Sequence, residues 1–135
     1  MIDINKIKKE LVKLQLLAIK KDEVPVSALI TYKDKIIAKS YNKVNSTNNI
    51  LDHAEIISIK KASKKLDNWR LNDCDIYITL EPCDMCKEII KKCRFNKVFY
   101  FSKQNNYSTE SNPNYNFIED KDIANCLSIF FQSKR

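Results

Sequence analysis

The sequence predicts an α/β fold in which helices cover both faces of a mixed β-sheet. Apolar stretches of strand length alternate with stretches whose apolar residues recur every three or four positions. The chain has 135 residues, of which 44% are hydrophobic, enough to bury a core without disulfide bonds. No stretch approaches the roughly 20 apolar residues of a membrane span, and the N-terminus has no signal-peptide pattern. We therefore expect one domain over residues 1–135, located in the cytoplasm.

The first third of the chain predicts a helix followed by a β-hairpin. Between Asp3 and Lys21, apolar residues recur on one helical face, namely Ile4, Ile7, Leu11, Leu14, Leu17 and Ala18. Residues 24–30 and 35–41 have strand-like composition, and Asp34 lies in the short turn between them. The hairpin is therefore expected directly after the first helix.

The middle of the chain predicts a helix, a strand and another helix. After a polar loop over residues 42–49, a helix is expected from about residue 53 to residue 66. Residues 75–80 form an apolar strand, and Pro82 suits the first turn of the helix that follows it.

The last third predicts two further strands and a final helix. Residues 97–101 form the fourth strand, residues 115–119 a short fifth strand, and residues 121–133 the last helix. Glycine is absent from the sequence, so other residues must take the left-handed backbone positions, and asparagine is the best substitute. Asn96 is the candidate for such a position after the helix that precedes the fourth strand.

Two short motifs at predicted helix starts carry the chemistry. Cys83 and Cys86 lie three positions apart, about one helical turn, so both thiolates can reach one metal ion. His53 is the sole histidine of the chain and stands two positions before Glu55. The two motifs together match the H-x-E and P-C-x-x-C signature of a zinc site.

The number of ligands favours a catalytic zinc site. Three protein ligands leave a fourth position for water, whose pKa the metal lowers towards about 7. A structural site normally has a fourth Cys or His, and Cys74, Cys93 and Cys126 do not supply one at ligand spacing. We expect these three cysteines in the interior. Glu55 is then placed to carry protons to and from the water.

Each motif by itself allows a simpler explanation. A single C-x-x-C is compatible with a redox pair or with chance spacing, and a single histidine is more often a core residue than a ligand. The formal charge of +7 suits a polyanionic partner such as RNA, but it also serves solubility alone. The combination of the motifs favours a zinc hydrolytic centre over coincidence.

Basic and aromatic side chains are candidates for RNA contacts. The basic residues cluster on two predicted helices and at the C-terminus: Lys60, Lys61, Lys64, Lys65, Arg70, Lys87, Lys91, Lys92, Arg94, Lys134 and Arg135. A solvated helix face explains any one cluster equally well. Tyr107 is a candidate for base stacking, whereas Phe130 and Phe131 are expected to divide between core packing and the rim of the site.

Matches to a known family are spread over nearly the whole chain. They comprise residues 23–26, Ala28, and residues 41–43, 53–56, 68–71, 77–83, 85–86 and 130–131. On these segments the chain resembles the bacterial tRNA adenosine deaminases, members of the cytidine deaminase superfamily, whose zinc signature the two motifs reproduce. The resemblance implies a three-layer α/β/α domain around a five-stranded mixed sheet. It also implies a homodimer that hydrolyses the wobble adenosine of a tRNA anticodon to inosine.

The resemblance further implies the roles of individual site residues. The ligands of one Zn²⁺ per subunit would be His53, Cys83 and Cys86. Glu55 would move protons between water and adenine, while Asn42 and the backbone N–H of Ala54 would contact the flipped base. The implied partner is the anticodon arm of a tRNA, and no membrane partner is implied.

The chain departs from the family pattern at a few positions, and two other functions remain open. Ser27 replaces a glycine, and residues 100–106 replace a Gly/Ala-rich loop that carries an aspartate directed at the RNA. One alternative function is a deaminase of free cytosine or guanine, which the matches at both ends of the chain disfavour. The other is a catalytically silent zinc scaffold that binds RNA or a partner subunit, which the presence of Glu55 disfavours.

Overall fold

A five-stranded mixed sheet forms the middle layer of the computed structural model, which describes residues 2–104 and 114–133. The strands are β1 (Ser27–Tyr32), β2 (Lys35–Tyr41), β3 (Cys74–Ile78), β4 (Lys97–Tyr100) and β5 (Tyr115–Phe117). The helices are α1 (Ile4–Lys20), α2 (Val44–Thr47), α3 (Ala54–Leu66), α4 (Asp84–Cys93) and α5 (Lys121–Ser133). Within the described ranges, no helix combines the length and apolarity that crossing a bilayer requires.

The strand order across the sheet is β2-β1-β3-β4-β5. β1 pairs antiparallel with β2 and with β3, whereas β3, β4 and β5 run parallel. A crossover through α4 joins β3 to β4, as parallel pairing requires. The predicted fold class, a mixed sheet between helical layers, is confirmed.

Two hydrophobic clusters on opposite faces of the sheet hold the three layers together. On one face, buried residues of α3 and α4, such as Ile59 and Ile90, pack with Ile76 of β3. On the other face, α1 and α5 contribute Ile7, Leu11 and Ile123, which pack with Leu29, Tyr77 and Phe99 of the strands. Since side chains alternate along a strand, β1 and β3 feed both clusters, and this explains their nearly continuous apolar runs.

The buried face of α1 differs from the predicted one at its centre. Leu17 was expected to face inward but is 44% exposed, whereas Gln15 is fully buried. The Gln15 side-chain amide donates to the backbone oxygens of Pro25 (3.1 Å) and Ile123 (3.4 Å). These hydrogen bonds satisfy the buried NH₂ group, whereas Oε1 has no partner among the described residues. They join α1 to both of its neighbours, which apolar periodicity alone does not reveal.

Several predicted element boundaries were wrong. The third strand ends at Ile78 and not at residue 80, and the fifth ends at Phe117 and not at residue 119. The first strand begins at Ser27 and not at residue 24, because the backbone N–H of Val26 donates to Val24 in a tight turn (2.7 Å). Pro82 lies before the N-cap of α4, which is Cys83, and so does not form the first turn. The expected polar loop over residues 42–49 contains the short helix α2.

Aspartate takes half of the left-handed backbone positions in the described ranges, and asparagine takes one. Over residues 2–104 and 114–133, the residues with positive φ are Asp22, Lys33, Asp34, Asn48, Asp67 and Arg94. Lys33 and Asp34 form the two-residue turn of the β1–β2 hairpin, with the positive φ at both positions that a type I′ turn requires. The prediction for Asn96 was wrong, because the left-handed residue after α4 is Arg94 (φ 64°) and Asn96 hydrogen-bonds Asp75 (3.0 Å).

Replacing Arg94 by glycine should stabilise the protein. A left-handed conformation is unfavourable for a residue with a Cβ, so Arg94→Gly should raise the free energy of unfolding by about 0.5–1 kcal/mol despite the greater freedom of glycine in the unfolded chain. Asn96→Gly is the matched control and should lower that free energy, since it removes the hydrogen bond to Asp75. Urea unfolding of both variants measures the difference, and a less stable Arg94→Gly protein would contradict the explanation.

Candidate active site

Three potential metal ligands meet where α3 and α4 begin. His53 is the N-cap residue of α3, Cys83 is the N-cap residue of α4, and Cys86 lies in the first turn of α4. His53 Nδ1 is 3.8 Å from Cys83 Sγ and 3.4 Å from Cys86 Sγ, and the three ligand atoms all lie within 4.8 Å of one another. Zinc at ordinary bond lengths separates tetrahedral nitrogen and sulfur ligands by about 3.5 Å. The structure thus brings the three predicted ligands to the spacing of one metal ion.

The electrostatics at the two helix starts favour a thiolate. A hydrogen bond from Cys86 and a second from His53 lower the pKa of Cys83 to about 4, although partial burial opposes the shift. The same contact with Cys83 raises the pKa of His53. The unpaired N–H groups and the positive end of the α4 dipole act in the same direction on Cys83. On balance these interactions favour the thiolate form of Cys83.

Glu55 lies in the first turn of α3 and is almost completely buried, with 3% exposure. Desolvation raises the pKa of its carboxyl group, while hydrogen bonds to its own backbone N–H and to Cys86 lower it. Among the described residues, its Oε1 atom has no hydrogen-bond partner. A buried carboxylate oxygen without a hydrogen-bond partner costs folding free energy. Its presence indicates that the oxygen is available to bind a proton or to hydrogen-bond a ligand.

A cavity of about 290 Å³ opens in front of Glu55 and His53. Its wall is made by Val24, Val26, Asn42, Val44, Asn45, Ile50, His53, Ala54, Glu55, Leu80, Glu81, Cys83 and Gln104. The size lies at the lower end of about 300–1,000 Å³, the usual range for small-molecule sites. Apolar sides and a few polar groups next to the ligand cluster suit a single planar heterocycle.

The two predicted base-binding residues both line this cavity. Asn42 follows β2, and its Oδ1 accepts a hydrogen bond from the backbone N–H of Val44 (3.1 Å). This contact fixes the orientation of the amide and directs its NH₂ group away from Val44. Ala54 is the first residue of α3, where backbone N–H groups have no acceptor within the helix. Both residues can therefore donate hydrogen bonds to a ligand.

Glu81 and Gln104 belong to the cavity wall but had no predicted role there. Glu81 is 3% exposed, and its carboxylate accepts from Lys87 Nζ (3.3 Å) and from the backbone N–H of Gln104 (3.2 Å). The side chain of Gln104 donates to the backbone oxygen of Glu81 (2.8 Å). These bonds seat the start of the segment after β4 beside the cavity. In the sequence, Glu81 interrupts an apolar stretch, and this position could have indicated that it belongs to the site.

The other predictions for individual side chains had mixed outcomes. Cys74 and Cys93 are buried as expected, and Cys126 is half-buried. Phe130 is half-buried and Phe131 is 49% exposed, and neither of them lines the cavity, so their expected division between core and rim was wrong. Their rings pack edge to face with centroids 5.7 Å apart. Tyr107, Lys134 and Arg135 lie outside the described residues.

The fold and the site together define the class of protein. A three-layer α/β/α fold with His-x-Glu at one helix start and Cys-x-x-Cys at the next, facing a base-sized cavity, is the arrangement of a hydrolytic deaminase of the cytidine deaminase superfamily. A family model described as MafB19-like deaminase matches residues 2–132. Nearly the whole chain therefore lies within the deaminase match.

Individual relatives narrow the assignment. The tRNA-specific adenosine deaminase of Rickettsia bellii is 44% identical over 102 residues, which cover 73% of this chain and 70% of the relative. That of Agrobacterium fabrum is 31% identical over 129 residues and covers 85% of each chain. A solved structure from work on A-to-I editing by tRNA:A34 deaminases has a TM-score of 0.75 at 27% identity, covering 86% of this chain and all of that one. The chain belongs to the deaminase family, in the group of the tRNA-specific adenosine deaminases, and the predicted resemblance is confirmed.

Loss of either thiolate should abolish metal binding. We expect Cys83→Ser and Cys86→Ser to purify with less than about a tenth of the metal bound by the unmodified protein, because serine is a much weaker ligand for a soft or borderline metal ion. Cys126→Ser is the matched control and should retain the metal, since Cys126 lies on α5 outside the ligand cluster. Elemental analysis of the purified proteins measures the content, and full metal in both ligand variants would contradict the assignment.

Proposed function

We propose that this protein is a zinc-dependent hydrolytic deaminase that converts adenosine to inosine at the wobble position of a tRNA anticodon. The observation that carries the proposal is the buried Glu55 carboxylate, which lines the cavity together with the ligands His53 and Cys83 and has one oxygen without a partner among the described residues. The group of relatives, named tRNA-specific adenosine deaminases, supports the choice of substrate. On the family resemblance we also propose one catalytic domain over residues 1–135, a homodimer and a cytoplasmic location.

His53, Cys83 and Cys86 would hold one Zn²⁺ per chain. One imidazole nitrogen and two thiolates form a donor set that suits zinc, and the distances between these atoms fit a tetrahedral arrangement. When bound, zinc supplies a water molecule that is acidic enough to ionise near neutral pH. Since the described ligand cluster has three members, one coordination position remains for that water.

Glu55 would be the proton carrier of the reaction. It takes a proton from the attacking water and gives it to ring nitrogen N1 as oxygen bonds to C6. It then carries the remaining proton of the new C6 hydroxyl group to the amino group, so that the C6–N bond breaks, ammonia leaves and the C6 carbonyl of inosine forms. Burial raises the pKa of this carboxyl group, and a higher pKa makes it a better base and a usable acid at neutral pH. The unpartnered Oε1 atom is the atom available for both transfers.

The cavity would hold the target base after it has left the anticodon stack. Its volume of about 290 Å³ leaves room for one base but not for a stacked pair. The apolar side chains of Val26 and Leu80 line the sides, while Asn42 and the N–H of Ala54 donate to the edge of the base. Because a base inside an intact stack cannot enter such a cavity, a single-stranded anticodon loop suits it.

A second candidate function is the deamination of a free purine. A guanine deaminase structure from Bacillus subtilis is 33% identical, with a TM-score of 0.71, and the match covers 76% of this chain and 66% of that one. The same ligand cluster and cavity serve both reactions, so the groups that bind the rest of the nucleotide decide between them.

Glu55→Gln should abolish turnover without removing the metal. Glutamine keeps the shape of the side chain but cannot accept the proton, so we expect kcat to fall by about 10³-fold or more. Zinc content should stay at one per chain, because Glu55 is outside the ligand cluster. Single-turnover assays with elemental analysis of the same samples make the comparison. A kcat within tenfold of the unmodified protein would exclude the proposed proton carrier.

One assay, run side by side on a tRNA and on free bases and adenosine, identifies the substrate class. We expect the zinc-loaded protein to form inosine in a tRNA that carries A34, and to act at least about 100-fold less efficiently on guanine, cytosine or free adenosine, which lack the contacts of the anticodon loop. A tRNA with G34 is the matched control and should remain unchanged. Rapid conversion of guanine with an unmodified tRNA would establish the second candidate, and no conversion of any substrate would favour a silent scaffold.

A further inference from the structure

Glu23 is a fully buried carboxylate that the proposed chemistry does not use. It lies between α1 and β1, and its backbone N–H donates to Ala18 (2.8 Å). Its Oε1 accepts from the backbone N–H of Asn45 (3.0 Å), and its Oε2 accepts from the backbone N–H (2.6 Å) and the hydroxyl of Ser46. The carboxylate is thus satisfied by three donors from a segment more than twenty positions away.

The segment that Glu23 binds forms one wall of the cavity. Residues 42–52 fold back on themselves, since Lys43 N–H donates to Asp52 (3.0 Å) and Asn49 N–H donates to Val44 (3.2 Å). The only helix in the segment is α2, with four residues, and a helix of this length has no stability of its own. Its position therefore depends on the contacts that it makes with the rest of the chain.

Four hydrogen bonds connect the middle of this wall to the turn after α1. Three of them end on the Glu23 carboxylate, and the fourth runs from the Asn45 side chain to the backbone oxygen of Asp22 (3.3 Å). Asn42 and Val44, at the start of the wall, and Val24, next to Glu23, all line the cavity. The Glu23 carboxylate therefore links the wall that contains Asn42 and Val44 to the wall that contains Val24, without lining the cavity itself.

We propose that Glu23 is a positioning residue, which sets the affinity for the base by holding the wall that carries Asn42. The proposal rests on the proposed function for the identity of the substrate, but the hydrogen bonds themselves do not depend on it. Only a carboxylate suits the position, because both oxygens accept from donors. A glutamine would direct its NH₂ group at an N–H or O–H donor on one side.

Glu23→Gln should raise KM for the tRNA by about tenfold and leave kcat within about threefold, because the wall contributes binding that is equal in the ground state and the transition state. Ser46→Ala removes one of the three donors and should raise KM by about threefold. In the double variant the two effects should not add, since both act through one contact. Zinc content should be unchanged in all three proteins.

The control for a purely structural effect is Leu127→Ala. Leu127 is buried on α5, which packs on the face of the sheet opposite α3 and α4. This variant loses stability through a cavity, but its folded fraction should keep an unchanged KM. A Glu23→Gln protein that, like the control, loses only stability or active fraction at constant KM would overturn the positioning role.

Hydrogen exchange separates this inference from the proposed function. In Glu23→Gln, the amides of Asn45 and Ser46 should exchange at least about tenfold faster, whereas amides in β3 should be unaffected. Unchanged exchange at these two amides would overturn the inference, whatever the substrate is. A different outcome is also possible: exchange is faster in Glu23→Gln, but the protein without substitutions does not convert tRNA. That outcome would contradict the proposed function and would still support the role of Glu23 in holding the wall.

Discussion

The N-termini of α3 and α4 lie next to each other, and the geometry of the candidate active site depends on this arrangement. His53 and Cys83 are the residues immediately before the two helices, so both positive dipole ends and several free N–H groups are directed at one place. Ligands that are thirty positions apart in the chain thereby come within 4.8 Å. Packing of both helices on the same face of the sheet fixes this geometry, because their buried residues belong to one hydrophobic cluster.

Three buried glutamates in or beside the cavity wall differ in the hydrogen-bond donors that they meet. Glu23 accepts from three donors and Glu81 from Lys87 and Gln104, so these two carboxylates hold segments of chain in place. Glu55 keeps one oxygen without a partner among the described residues, and the residue lines the cavity. Burial makes an unpaired carboxylate oxygen costly, and this cost distinguishes Glu55 from the other two glutamates.

The absence of glycine affects the whole backbone. Helices α3 and α4 end in left-handed residues that carry side chains, Asp67 and Arg94, and the β1–β2 turn uses Lys33 and Asp34. Aspartate tolerates this conformation through local hydrogen bonding of its short side chain, whereas lysine and arginine have no such compensation. Tertiary packing on both sides of each turn therefore imposes these conformations.

The sequence by itself determined the order of strands and helices, the alternation that feeds two hydrophobic clusters, and the ligand motifs. These features are local: a spacing of three places Cys83 and Cys86 on one helical turn, and an apolar run of strand length is expected to be buried from both sides. Only the tertiary structure decided that Gln15 is buried in place of Leu17, that Arg94 and not Asn96 is left-handed, and that the Glu23 carboxylate accepts from Asn45 and Ser46. Each of these outcomes depends on partners far away in the chain, such as Ile123 for Gln15 and Ser46 for Glu23. The physical reason is that periodicity reports which face of an element is apolar, whereas the satisfaction of a buried polar group depends on which elements the fold brings together.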